Sequence, residues 1–409
     1  MSGFVAERLN LVEPSPTLAI TALANKLKAE GKDVVGFGAG EPDFDTPVFI
    51  KEAAKKALDE GFTKYTPVSG IPDLKAAIVA KFKRDNNLEY DVSQIIVSTG
   101  GKQVLYNLFL SVINAGDEVI IPAPYWVSYK DIVMLADGTT KIIQCPIEQK
   151  YKITPEQLEN AITEKTKVFL MNSPSNPTGS TYTEDELRAL AKVLEKHPQI
   201  LVVSDDIYEH LLYDEHKFSN LAMVSKDLFE RTVVVNGLSK AYSMTGWRLG
   251  YAACKDKEII KAMDTIQGQS TSNANSFAQK GAVAALNGDQ SCIDEMKKSF
   301  VERRNYLFER LNKIQGLKVM LPEGAFYIYP DFSNLVQSDG FKKLAAANPT
   351  EISVSKIISS ALLSEYSVAV VPGIAFGYDP SFRMSYATSM KQIEKGMDRI
   401  EEFFQKLAL

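Results

Sequence analysis

Lys240 lies just beyond the apolar run Thr232-Val-Val-Val-Asn236, inside the stretch Asn236-Gly-Leu-Ser-Lys-Ala-Tyr-Ser-Met-Thr-Gly-Trp-Arg-Leu-Gly250. Small and aromatic neighbours there strip water from the ammonium, which lowers its pKa and frees the amine to act as a nucleophile. Arg248 follows eight residues later with a planar fork suited to phosphate. A second apolar run ends in Ser204-Asp-Asp-Ile-Tyr208, and a carboxylate enclosed at such a place needs a cation or a donor beside it. A metal ion on Asp205 and Asp206 is one occupant to consider, but no nearby Glu/His cluster is expected to complete a coordination set. A protonated ring nitrogen suits one of these carboxylates better.

Two glycine-rich stretches also bear on anion binding. Ser98-Thr-Gly-Gly-Lys-Gln103 passes from a strand-like run into a helical pattern carrying Leu105, Leu108 and Phe109. Its glycines let the backbone close on an anion, and the free N–H groups and helix dipole favour phosphate. It is not a Walker A loop, because the earlier Gly and the following Ser/Thr are missing. Gly36-Phe-Gly-Ala-Gly40 imitates a dinucleotide fingerprint, yet its third glycine comes too early and Glu-Pro-Asp follows where a helix should start.

The elements that must position these groups read as a mainly parallel sheet. Strand-like runs end directly in Gly, Pro, Ser or Asp and are followed by helical periodicity: 94–100, 117–122, 167–172, 200–205, 232–236 and 249–254. In such folds ligands collect at the carboxyl ends of the strands, where the polar residues fall. Beyond about residue 290 a long charged helical stretch containing Val301-Glu-Arg-Arg-Asn305 leads to short strands near Gly324 and Ser367 and a closing amphipathic helix, which reads as a smaller α/β domain.

At 409 residues, with 45% apolar and 24% charged residues, the chain has the composition of a globular protein of more than one domain. A net charge of −5 offers no basic field for nucleic acid. Cys145, Cys254 and Cys292 form no pair with metal or disulfide spacing and read as small buried apolar residues; His197, His210 and His216 are too scattered for zinc. No metal is expected. The opening Met1-Ser-Gly-Phe-Val carries no targeting pattern, and no run approaches the roughly 18 apolar residues of a membrane span, so the expectation is a cytoplasmic protein without membrane contact.

The motifs together resemble the class I aminotransferases of fold type I, in the bacterial and plastid branch of aspartate aminotransferases. The likeness rests on Ser239-Lys240 through Trp247-Arg248, joined in order by Ala39-Gly-Glu-Pro-Asp43, Lys64-Tyr-Thr-Pro67, Gly100-Gly-Lys102, Pro124-Tyr-Trp-Val-Ser-Tyr129, Asn172 through Gly179, Ser204 through Tyr208 and Phe382-Arg-Met-Ser-Tyr386. One departure is Asp206, where relatives usually carry Glu. The resemblance implies a large domain, 46–290, built on a mixed but mainly parallel seven-stranded sheet flanked by helices. A smaller α/β domain follows at 291–409, and an arm with part of the small domain occupies 1–45.

The resemblance also implies pyridoxal 5'-phosphate as cofactor and a homodimer with shared sites, acting on amino acids and 2-oxo acids. Lys240 would bond the cofactor and shuttle a proton, Asp205 would pair with its ring nitrogen, and Tyr208 and Asn176 would meet its ring oxygen. Trp126 would stack on the ring, while Gly101, Lys102, Ser239, Arg248 and, from a second subunit, Tyr65 would hold the phosphate. Arg383 would clamp the substrate α-carboxylate with the Gly40 backbone. Lys102, helped by Ser15 and Thr17, would receive a distal carboxylate, pointing to exchange between aspartate and 2-oxoglutarate, with prephenate as a further acceptor. An aromatic or alanine aminotransferase is the alternative of the same fold, and a non-catalytic regulatory binder the alternative of another class. Both isomers of Asn176-Pro177 stay open.

Overall fold

The computed structural model describes residues 4–408; Met1-Ser2-Gly3, on which the reading of the chain's opening partly rests, lies outside them. The strands run in chain order as β1 (Val35–Gly36), β2 (Ile95–Ser98), β3 (Glu118–Ala123), β4 (Thr139–Gln144), β5 (Thr166–Asn172) and β6 (Leu201–Asp205). They continue as β7 (Thr232–Gly237), β8 (Gly250–Ala253), β9 (Tyr327–Ile328), β10 (Val368–Ala369), β11 (Val371–Pro372) and β12 (Phe382–Ser385).

Seven strands form one sheet in the order β2-β8-β7-β6-β5-β3-β4. Only β8 runs against its neighbours. The sheet is therefore mixed and mainly parallel. Its central strands are β-branched and buried on both faces, as a doubly covered parallel sheet requires. On β7, Val233 and Val235 join the core under the helix Gly101–Val112, while Val234 joins the core under the helix Ser276–Asn287. The register sets Asn172 level with Asp205, so two polar residues reach the same edge of the sheet. Six of these strands fall within two residues of the sequence-predicted runs. β4 was not anticipated: Thr-Thr-Lys-Ile-Ile-Gln is a partly exposed edge strand with no continuous apolar run.

The C-terminal part builds a second core. The long helix Ser291–Leu311 and the closing helix Met390–Leu407 pack with β9 to β12 around Phe300, Phe326, Phe382 and Phe404. Ile393, Met397, Ile400 and Phe404 recur at helical spacing on the buried face of the closing helix, which accounts for its amphipathic sequence. Val35 and Phe37 from the N-terminal region complete this core, and β1 pairs in parallel with β10. Among the described residues no helix is long and apolar enough to cross a membrane. Cys145 and Cys254 are buried as expected; Cys292 is only half-buried at the start of its helix.

Behind the sheet edge a fully buried Lys81 forms an ion pair with Glu209, which also accepts hydrogen bonds from Asn86 at 2.9 Å and Asn236 at 2.8 Å. Burial alone would raise the Glu209 carboxyl, but Lys81 and His210 hold it below the usual carboxylate range. A carboxyl with a depressed pKa contributes stability above its unfolded pKa and loses it as the pH falls. Removing one partner of such a pair leaves an uncompensated buried charge costing about 3–5 kcal/mol. Lys81→Met is therefore expected to lower the urea midpoint at pH 7, and the deficit should narrow as the medium is acidified. A variant as stable as the parent at pH 7 would contradict this.

Candidate active site

The polar ends of β2, β5, β6 and β7 open on one cavity of about 400 Å³. Lys240, in the turn after β7, reaches it and donates to the Gly40 carbonyl at 2.5 Å. Burial pushes its ammonium down to about 8; the Arg383 charge adds to this, while Glu41 and Asp205 oppose it. Asp205 ends β6 at 5% exposure, accepting from the Tyr129 hydroxyl at 2.6 Å and from the Ile207 amide at 3.2 Å. Burial raises its carboxyl to about 6 against those two donors and the charge of Lys240. An enclosed carboxylate of this kind matches a cationic N–H.

The floor for an anion is made by backbone. Gly100, at φ +87°, precedes the helix Gly101–Val112, and a Cβ there would lie 2.5 Å from an Arg248 Nη atom. Only glycine fits both the left-handed conformation and the arginine. A Cβ on Gly250 would meet the Gly101 nitrogen at 2.4 Å, so the helix start rests directly on β8. Arg248 is exposed over this floor and donates to the Thr245 carbonyl at 2.9 Å. Ser239 is buried beside it.

Across the cavity Arg383, carried by β12, is 2% exposed. It donates to Asn176 Oδ1 and to the Gly38 carbonyl, both at 2.9 Å, while its buried Nε has no partner among the described residues. Asn176 lies in a loop with cis bonds at Ser173-Pro174 and Asn176-Pro177, which answers the isomer left open by sequence. Its Nδ2 donates to the Tyr208 hydroxyl at 3.5 Å, and that hydroxyl pairs with Tyr327 at 2.9 Å. Trp126 packs edge-on against Tyr129 with 5.3 Å between ring centroids.

Lys102 stands in the first turn of the helix Gly101–Val112, its ammonium 5.1 Å from the Trp126 ring centroid and without an ion-pair partner among the described residues. Desolvation and the Arg248 charge lower its pKa, with Asp131 opposing. Ser15 and Thr17 line the same cavity, and Thr17 Oγ1 is buried without a partner among the described residues. Every sequence-predicted site residue except one thus lines this cavity. The exception is Tyr65, which is 91% exposed.

Sequence reasoning missed several participants. Tyr129 is the donor to Asp205, and Asn172 Nδ2 donates to the Asp205 carbonyl at 2.8 Å. Both stand in quoted motifs, but their partner is distant in sequence. Tyr327 had no local signal at all. Glu209 and His210 lie with Asp85 so that their ligand atoms are within 4.8 Å of one another, but neither Asp205 nor Asp206 belongs to that group. The ammonium of Lys81 is seated in this cluster, 3.9 Å from Asp85 and paired with Glu209. Asp206 turns away from the cavity, accepting from Ser204 and Asn220, both at 2.6 Å.

Residues 32–400 match the model of the family described as aminotransferase class I and II. The chain belongs to this family. The aminotransferase is 52% identical over 401 residues to a probable aspartate/prephenate aminotransferase of Rhizobium leguminosarum bv. phaseoli, covering 98% of both chains. It is 49% identical over 403 residues to an aspartate aminotransferase of Bacillus sp. strain YM-2, covering 98% of this chain and all of that one. Among solved structures it resembles the aspartate aminotransferase of Rhizobium meliloti, with a TM-score of 0.91 and 42% identity over 98% of this chain and 99% of that one. The Thermus thermophilus enzyme with maleate gives 0.89 and 40%, over 98% and 100%. Aminotransferases of this family use pyridoxal phosphate.

Because Lys240 titrates at about 8, its amine is free above that pH and carries a proton below it. Borohydride trapping of pyridoxal phosphate on the protein should rise about tenfold between pH 7 and 9 and then flatten. Lys240→Ala should yield no adduct at this position by peptide mass. An adduct yield still climbing steeply above pH 9 would mean an ordinary surface lysine.

Proposed function

We propose that this chain exchanges amino groups between L-aspartate and 2-oxoglutarate using pyridoxal phosphate, and accepts prephenate as a further oxo acid. The observation that carries the reading is the convergence in one cavity of an amine with a lowered pKa, a buried carboxylate, a buried arginine and a lysine with no ion-pair partner among the described residues. When bound, pyridoxal phosphate supplies an aldehyde carbon that bonds amines and a cationic ring that accepts electrons from a carbon losing its proton. The residues fit it: Gly101, Lys102, Ser239 and Arg248 would hold the phosphate, Trp126 the ring face, and Asp205 the ring nitrogen, with Asn176 and Tyr208 at the ring oxygen.

Lys240 serves this chemistry as nucleophile and then as the base that takes the substrate α-proton, a task for which a pKa near working pH is suited. Asp205 stays anionic opposite a positive N–H, and Tyr129 and Ile207 fix its two oxygens. Arg383 binds the α-carboxylate with N–H groups left over from Asn176 and Gly38. The Gly40 carbonyl, now an acceptor for Lys240, is released to the substrate side as that amine turns to its work. Lys102, with Ser15 and Thr17, meets a distal carboxylate at the other end of the cavity.

Support for the dicarboxylate preference comes from the aspartate/prephenate relatives and from the Thermus neighbour whose structure holds maleate. A homodimer with shared sites accords with the exposure of Tyr65, Val48, Phe49 and Leu58, which leaves Tyr65 available to the cavity of a second copy. Domain division at about 45 and 290 accords with the shared core of the N-terminal Val35 and Phe37 with the C-terminal elements.

A charge-assisted contact in a desolvated site is worth about 1.5–3 kcal/mol. Lys102→Ala should therefore lower kcat/KM for aspartate, and for prephenate as acceptor, by about one to two powers of ten. Phenylalanine, without a distal charge, should be nearly unaffected under the same conditions. Equal losses for aspartate and phenylalanine would rule out the specificity role of Lys102.

A further inference from the structure

We infer that Tyr327 is a positioning residue for the reaction: its hydroxyl holds the oxygen of Tyr208 so that the Tyr208 proton points into the cavity, and its ring levels the guanidinium of Arg383. This rests on the proposed reading of Tyr208 as a donor to the cofactor's ring oxygen.

The argument starts from a closed circuit of contacts. Arg383 Nη1 donates to Asn176 Oδ1 at 2.9 Å, which obliges the other end of that amide to be the NH₂ group. Asn176 Nδ2 then donates to the Tyr208 oxygen at 3.5 Å. Tyr208 and Tyr327 share a hydrogen bond of 2.9 Å, and the Arg383 guanidinium carbon lies 4.4 Å from the Tyr327 ring centroid, closing the circuit. Tyr327 is fully buried on β9, lines the cavity and stands edge-on to the Tyr208 ring.

A phenol has one proton and two acceptor lone pairs. Either phenol can donate in the bond they share. With Asn176 already donating to Tyr208, Tyr327 as the donor fills the acceptor capacity of that oxygen and leaves the Tyr208 proton free for another group, which is the direction inferred here. A phenol that receives two donors is a stronger donor itself. The ring has a separate task. An arginine over an aromatic face is held flat, and Phe376 at 5.1 Å adds a second ring near the same guanidinium. Hydroxyl and ring of one residue thus serve two different halves of the site.

Two substitutions separate these tasks. In the pyridoxal-phosphate-loaded protein, Tyr327→Phe should move the pH midpoint of the visible absorption by about 0.3–1 unit, in the same direction as Tyr208→Phe but by less. Its kcat for aspartate should fall about two- to tenfold while KM stays within about twofold. Tyr327→Leu, which also loses the ring, should raise KM several-fold for aspartate and phenylalanine alike. In a Tyr208→Phe background, Tyr327→Phe should add no further shift of the midpoint, since its effect passes through Tyr208. The inference is overturned if Tyr327→Phe leaves the midpoint in place, or shifts it equally in both backgrounds. If Tyr327→Leu fails to fold, the phenylalanine cycle still decides, because it keeps the ring. Absence of any shift in Tyr208→Phe would instead sink the underlying reading of Tyr208.

Discussion

A carboxylate that ends a central parallel strand, enclosed on every side by protein, cannot rely on water for its hydration. Asp205 is such a group, and the structure around it follows from keeping it charged yet available. Tyr129 and the Ile207 amide take one oxygen each, Asn172 secures its backbone, and Lys240 supplies a positive charge at a distance. None of these donors is a cation in direct contact, so the carboxyl is left with a pKa of about 6 rather than one locked far below neutrality. The same desolvation acts with opposite sign on Lys240. One dry environment thereby draws an acid and a base toward the same pH range.

The sheet provides that environment because its central strands are buried on both faces and all but one point the same way. Their carboxyl ends coincide, and the residues that finish them fall at one level. The second core supplies the opposite wall through β9 and β12, which carry Tyr327 and Arg383. The site is therefore assembled between elements of these two cores, with the segment from Phe37 to Glu41 contributing the Gly38 and Gly40 carbonyls to its polar contacts.

Much of this could be read from the chain alone where cause and effect are close in sequence. Six strands are continuous, largely buried apolar runs, most of them rich in β-branched residues, so position and type were both legible. The edge strand β4 was not, since its exposed face carries Thr and Lys and its pairing depends on β3 rather than on its own composition. The same holds for side chains. Lys240, Asp205 and Arg383 sit in motifs dense enough to identify the family, whereas Tyr327 becomes meaningful only when Tyr208 and Arg383 arrive from elsewhere. Glu209 was passed over because the lysine that explains it lies 128 positions earlier, at Lys81.

Arg383 keeps two internal acceptors, the Asn176 side chain and the Gly38 carbonyl. A free arginine gives up rotamer entropy each time it grasps an anion, on the order of 2 kcal/mol. Here the guanidinium is already immobilised by protein atoms, and a guanidinium has five N–H groups to share. If Arg383 is the carboxylate clamp proposed above, the entropy is lost once, when the chain folds, and not again in each cycle of capture and release. A clamp of this kind discriminates by shape while binding only modestly, which suits an enzyme that must let go of its first product before the second substrate enters the same place.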